Sequence, residues 1–135
     1  SRKHARVRRV VNEQDLEQLI ARYGFKTVYL DDLHFLDQVA ALRDAEAVMG
    51  PHGAGMTHML FAQPGAHIFE FFAPTYINPA FLGIITLLHQ RYHQLTSHFD
   101  LPYPYRLTQE DLSQPGKDRN MTVDLAVLEV VLNGI

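Results

Sequence analysis

Apolar positions in this chain alternate between a helical spacing and short unbroken runs. Leu16, Leu19, Ile20 and Tyr23 carry the i, i+3, i+4, i+7 recurrence of one buried helix face. Asn12 precedes them as a candidate cap, Glu13 and Asp15 stand where acids suit the first turn, and Gly24 predicts the stop. Phe25–Leu30, rich in β-branched and aromatic side chains, predicts a strand. Asp31 and Asp32 predict the start of a second helix, with Phe35, Val39 and Leu42 facing inward. Glu46–Gly50 predicts a short apolar strand, Gly53–Phe61 a tight loop and short helix, and Pro64-Gly65 a turn. Ala66–Phe72 predicts a strand that is apolar on both faces around Glu70. Asn78 and Pro79 predict the cap and first turn of a helix carrying Phe81, Leu82, Ile85 and Leu88, and Tyr92–Thr96 predicts a last strand.

Strand runs with so little polar alternation suit a parallel sheet covered on both faces. Their alternation with helices implies βαβ units with right-handed crossovers. The expected fold class is therefore α/β, a three-layer sandwich with a mostly parallel sheet. Residues 1–135 read as a single domain. Within it the Pro-, Gln- and Asp-rich stretch 97–120 is an irregular connection, and 121–135 is a closing helix, capped by Thr122 and running through Val123–Leu132.

With 47% apolar and 20% charged residues, the composition is that of a globular domain and not of a disordered chain. The net charge of −3 argues against a general nucleic-acid binder, yet the charge is unevenly placed: Arg2, Lys3, Arg6, Arg8 and Arg9 stand together with no acid among residues 1–9. A cationic arm on an acidic body suits a specific anionic ligand; a solvated terminus is the alternative. The absence of Cys removes disulfide frameworks and Cys-based metal sites, and it suits a reducing cytoplasm. No apolar run approaches the roughly 20 residues that span a bilayer. The opening Ser1-Arg2, without Met, is what a piece of a longer protein would show.

Gly50-Pro51-His52-Gly53-Ala54-Gly55-Met56-Thr57-His58 lies between an expected strand and an expected helix. In a parallel sheet that is the carboxyl end of a strand, where α/β folds bind ligands. Gly53 and Gly55 allow close backbone approach, and the helix that follows offers unpaired N–H groups to a phosphate. A tight structural turn would use the same small residues. Met56 stands where a P-loop needs its Lys, which argues against NTPase chemistry, and His58 replaces the third glycine of a dinucleotide fingerprint. No metal is expected: His89 and His93 have helical spacing but no Glu completes a site, and His52 and His58 have no recognised ligand spacing.

The segment from Val48 through Phe61, followed by Pro64-Gly65 and Ile68-Phe69-Glu70-Phe71-Phe72, resembles family 61 glycosyltransferases. That family has an apolar strand, a His-Gly-Ala-Gly-apolar-Thr-Asn/His turn, Leu-Phe, Pro-Gly, and an apolar strand carrying a Glu. Arg8-Arg9-Val10-Val11-Asn12-Glu13, Tyr23-Gly24-Phe25, Gln38-Val39 before Ala45-Glu46, and Tyr76-Ile77-Asn78-Pro79 agree with it as well. The likeness runs from Ser1 to about His93, with His58 where Asn is common, and is weak after residue 95.

The resemblance implies an inverting glycosyltransferase of GT-B architecture, in which this chain is the C-terminal, Rossmann-like half that binds the nucleotide-sugar donor. It implies a UDP-linked sugar as substrate, no cofactor, a glycan or protein acceptor, and a missing N-terminal domain that carries the catalytic base. The expected setting is a bacterial cytoplasm, at the inner face of the membrane, with capsule-type polysaccharide or glycoconjugate as product. The implied donor-binding residues are Arg2, Arg8, Arg9, His52, Gly53, Ala54, Gly55, Met56, Thr57 and Glu70. Gly53 to Thr57 cradle the diphosphate through backbone N–H groups with the Thr57 hydroxyl assisting, and the arginines are candidate phosphate forks. Ser1-Arg2 resembles the family's Ser-Arg pair at a strand end. His52 donates to a phosphate, lies near the sugar, or only stabilises the turn. Glu70 binds ribose hydroxyls or forms an ion pair that offsets its burial. Two other functions fit the same residues: a non-catalytic α/β module binding a phosphate or nucleotide, and a flavodoxin-like interaction domain.

Overall fold

A computed structural model describes residues 8–74, 76–97 and 119–135. Arg2, the other basic residues before Arg8, and most of the expected irregular connection lie outside the described residues. The domain is a small α/β fold. Its elements run α1 (Glu13–Ala21), α2 (Phe35–Arg43), β1 (Ala47–Pro51), a 3-10 helix (Ala54–Phe61), β2 (His67–Phe72), α3 (Leu82–Leu87), β3 (Arg91–Thr96) and α4 (Leu125–Leu132). The three strands form one sheet in the order β1-β2-β3, parallel throughout.

Because side chains alternate across a strand, β2 feeds two cores. Phe69 and Phe71 join Leu16 and Leu19 of α1, Leu128 and Leu132 of α4, and Met121 and Val123. Ile68 faces the other way, into Met56 and Met59 of the 3-10 helix and Ile85 of α3. Helices thus flank both faces, as the unalternating strands predict. Ile68, Phe69, Phe71 and Phe72 are all at most 1% exposed, and each contributes about 1.5–3 kcal/mol by leaving water. β2 is the anchor of the sheet, whereas β1 is only half-buried along its length.

Five local expectations are corrected. α3 starts at Leu82 with Phe81 as its N-cap, so Asn78 and Pro79 are not its cap and first turn; the Asn78 carbonyl oxygen accepts instead from Ala80 N at 3.0 Å in the stretch before the helix. Phe25–Leu30 forms no strand among the described residues. Strand propensity needs a paired, half-buried surface to act on, and here only the Phe25 ring commits to the core, edge-on to Phe69 at 6.2 Å. Asn12 does not cap α1 with its side chain. Its amide, which both donates and accepts, pairs reciprocally with the Val123 backbone at 2.9 and 3.0 Å and so ties the start of the domain to its end. α4 is capped by Asp124, whose carboxylate accepts from Val127 N at 3.0 Å, and not by Thr122. In the second helix Phe35 is 60% exposed and not inward-facing; it is the first residue of α2, which follows a 3-10 turn at Leu30–Asp32.

Candidate functional site

β1 ends in Gly50-Pro51, and the chain turns through His52-Gly53 into the 3-10 helix. Gly53 makes the turn at φ 157°, ψ −179°, a region that essentially only glycine visits. Met56 N bonds back to Gly53 O at 2.9 Å. The N–H groups of Ala54 and Gly55, which come first in the helix, are those a helix start leaves without an intrahelical partner. A Cβ added at Gly55 would meet nothing within 4 Å, so the space above the turn is open.

That space is one end of a cavity of about 950 Å³ that follows the free edge of β1. Arg8, Gly53, Ala54, Gly55 and Met56 line it, as do Phe25 to Val28. Arg8 takes φ 58°, uncommon for a side chain this bulky, and its Nη1 donates to His52 O at 3.2 Å. Its Nε is buried with no protein hydrogen bond among the described residues. Arg8 is thus a guanidinium at the rim of the cavity with donor capacity left over.

Of the implied donor residues, the structure brings Arg8, Gly53, Ala54, Gly55 and Met56 to one cavity. Met56 presents its backbone there while its side chain sits in the core. Arg9 is exposed, and its backbone N–H bonds Asn120 Oδ1 at 3.0 Å. The Thr57 hydroxyl is exposed and donates to Ala54 O at 2.6 Å. His52 and Glu70 lie beneath the turn, on the inner face of the sheet, 7% and 1% exposed. His52 Nδ1 meets Glu70 Oε1 at 2.6 Å, and Tyr92 donates its hydroxyl to Glu70 Oε2 at 2.6 Å. Both carboxylate oxygens are therefore occupied within the protein. Burial, reinforced by the Glu70 hydrogen bond, pushes the Tyr92 hydroxyl well above its ordinary value, so Tyr92 stays a donor across the physiological range.

Tyr92 was not singled out from the sequence, because its place beside Glu70 follows from the strand register. Glu70 pairs with Gly50 on β1 and Gln94 on β3. His52 lies two residues beyond Gly50 and Tyr92 two residues before Gln94, so pleat alternation puts all three side chains on one face. A lone acid in an apolar strand demands such partners. Gln38 was read only as part of the resemblance. Its amide donates to Leu30 O and Leu33 O at 2.8 and 3.0 Å, and its carbonyl oxygen meets His58 Nε2 at 2.6 Å, which fixes the 3-10 helix against α2. Among the described residues no group of three or more His, Asp or Glu is arranged to hold a metal ion. His89 lies in the turn after α3 and His93 in β3, so the two share no helix face.

The chain matches the family model described as Glycosyltransferase 61 over residues 1–69. A beta-1,2-xylosyltransferase from Arabidopsis thaliana is 39% identical over 59 residues, which are 44% of this chain and 11% of that protein. An EGF domain-specific O-linked N-acetylglucosamine transferase from Drosophila melanogaster is 34% identical over 73 residues, 52% of this chain and 14% of that protein. A second beta-1,2-xylosyltransferase, RCN11 from Oryza sativa subsp. japonica, is 32% identical over 63 residues, covering 47% and 12% respectively. The aligned part of the chain thus spans 11–14% of the length of these relatives.

Proposed function

The chain belongs to the glycosyltransferase 61 family, and we propose that it holds the nucleotide-sugar donor of an inverting transferase, as the C-terminal half of a GT-B enzyme. The observation that carries this reading is the turn at the carboxyl end of β1, where Arg8, Gly53, Ala54 and Gly55 line one open cavity at the start of the 3-10 helix, whose first N–H groups have no intrahelical partner. In the transfer the bond between the sugar and the donor diphosphate breaks, and negative charge builds on the departing diphosphate. Oriented N–H dipoles and a guanidinium stabilise that charge. Gly53, Ala54, Gly55 and Arg8 serve this role, with Thr57 and Arg9 at its margin; Arg2 is proposed with them from the family pattern. The base that takes the acceptor's proton comes from the other half of the enzyme.

The relatives' names support a division of labour. They include a xylosyltransferase and an N-acetylglucosamine transferase, so the shared segment serves more than one sugar. A part that grips the nucleotide diphosphate, common to such donors, fits that spread better than one that reads the sugar. A UDP-linked donor and a glycan or protein acceptor complete the proposal. Among the described residues no helix is long and apolar enough to cross a membrane. We place the reaction on the cytoplasmic side of a bacterial membrane, in capsule-type polysaccharide or glycoconjugate synthesis.

The test is protein-observed NMR of the 135-residue chain titrated with UDP. Amide shifts at Gly53 to Thr57 and at Arg8 are expected. No shift at millimolar UDP, or shifts confined to α1 and α4, would overturn the assignment.

A further inference from the structure

A carboxylate removed from water is costly unless its oxygens are satisfied, and Glu70 is one of the least exposed side chains in the domain at 1%. Its partners stand on either side of β2: His52 follows directly on the end of β1, and Tyr92 lies in β3. Tyr92 donates to one oxygen, and the other accepts from His52, so the His52 proton facing Glu70 sits on Nδ1. The ring is held besides by Phe72, stacked at a centroid distance of 4.9 Å, and by Tyr76 and Phe81, each at 5.6 Å. The His52 backbone is fixed as well. Its N–H donates to Phe71 O at 2.8 Å and its carbonyl accepts from Arg8 at 3.2 Å. Ring and backbone of residue 52 are thus each held by several contacts, immediately before Gly53 starts the turn.

We propose that Glu70 and Tyr92 are positioning residues that act through His52: they lock it, and the locked His52 aims the N–H groups of the Gly53-Ala54-Gly55 turn and the Arg8 guanidinium at the phosphates of the ligand. Glu70 then makes no contact with the ribose. The inference rests on the donor-site reading for its ligand and on the buried trio for its mechanism. It extends the site by Tyr92, which touches Glu70 and lies away from the cavity. Preorganised dipoles bind anions well because they need no reorientation on binding, so loosening the lock weakens binding without removing any group that touches the ligand.

The experiment compares two probes, UDP and inorganic pyrophosphate, which lacks a ribose. Affinities are measured by calorimetry for the wild-type chain and for Glu70→Gln, Glu70→Leu and Tyr92→Phe, with melting curves alongside. Gln retains both hydrogen bonds, its carbonyl accepting from His52 and its amide donating to the Tyr92 oxygen, so both probes stay within about threefold of wild type. Glu70→Leu removes the lock and weakens both probes alike, by about tenfold. Tyr92→Phe removes one support and weakens both by about threefold while the fold is kept. If Glu70→Gln weakens UDP and spares pyrophosphate, Glu70 contacts the ribose directly and the proposal is wrong. If Glu70→Leu does not fold, Tyr92→Phe decides by the same criterion, since equal weakening of both probes supports the lock and unchanged affinity refutes it. If wild type binds neither probe, the donor-site reading fails, and the lock is judged separately by imidazole 15N NMR. A single Nδ1–H tautomer of His52 in wild type, with Gly53–Gly55 amide shifts in Tyr92→Phe, supports it; mixed tautomers or unmoved amides overturn it.

Discussion

The sheet carries two histidine pairings, one on each face, and they behave as opposites. On the face of the 3-10 helix, His52, just past the end of β1, meets the Glu70 carboxylate, which also accepts from the Tyr92 hydroxyl. On the face of α1 and α4, His67 Nδ1 meets His93 Nε2 at 2.8 Å, and Arg91 approaches His67 Nε2 at 3.4 Å. His93 also stacks on Phe69 at 4.4 Å. The geometry is nearly the same, with side chains on adjacent strands offset by one pleat repeat. The partner differs. A carboxylate gives His52 a fixed hydrogen-bond direction that is passed on to the turn. A second imidazole and a guanidinium give His67 only a neutral neighbour and a repelling charge, and no ligand-facing loop follows. The chemical use of a histidine in this fold is set by the charge of its cross-strand neighbour.

Deleting each ring is the strongest way to test that contrast. His52→Ala leaves one oxygen of the buried Glu70 carboxylate without its hydrogen-bond partner, and leaving a buried charged acceptor unsatisfied costs about 3 kcal/mol. His67→Ala removes a half-buried neutral contact and is expected to cost about 1 kcal/mol. Urea denaturation of the two variants measures both. Equal losses would show that the two pairings are interchangeable, and the comparison would fail.

The next effect is functional. Gly55→Val is expected to lower UDP affinity by about tenfold, near 1.4 kcal/mol, by filling the space where a phosphate approaches the backbone. The fold should tolerate it. Gly55 does not take a positive φ, and an added Cβ meets no atom within 4 Å, so the helix loses only about 0.5 kcal/mol of propensity. Calorimetry with UDP and a melting curve separate the two quantities. Normal UDP affinity in a folded Gly55→Val would reduce the turn to a structural connection, and the His52 end of the sheet would then lack its distinguishing role.

Much of this contrast was legible before any coordinates. The runs Glu46–Gly50 and Ala66–Phe72 are largely apolar, and with Tyr92–Thr96 they form strands as Ala47–Pro51, His67–Phe72 and Arg91–Thr96. The Gly-rich turn could be read because small residues between a strand and a helix have few other uses. Phe25–Leu30 misled because its composition suits a strand, whereas pairing depends on where the rest of the chain places an edge. The caps misled because Asn12 and Thr122 both suit a helix start, whereas the Asn12 amide is used on the Val123 backbone and Asp124 takes the cap of α4. Glu70 announced a need for partners, but their identity depends on strand register, which one sequence does not carry. The same holds for His67 and His93: nothing local says that residues 26 positions apart will touch.

The smallest expected effect concerns pH and belongs to the His67 end. Burial lowers the proton affinity of His67 below its ordinary value of 6.5, and Arg91 lowers it further. For His93 burial is again the main cause, followed by His67 and Arg91. In the unfolded chain both rings titrate near 6.5. As the pH falls below that value, the unfolded state takes up protons that the folded state still refuses, so it is stabilised relative to the fold. Stability from this pair is therefore fully present above about pH 6.5 and is lost as the pH falls from there toward the depressed folded values. The melting temperature should decline from pH 7.5 to 5, and His93→Phe, which keeps an aromatic ring on Phe69 and removes one titrating group, should flatten that decline. Carboxylates titrate below this window, so a loss that begins near pH 6.5 points to histidine. If His93→Phe leaves the profile unchanged while His52→Gln flattens it, the acid-sensitive pairing is the one on Glu70, and the assignment of roles to the two faces is reversed.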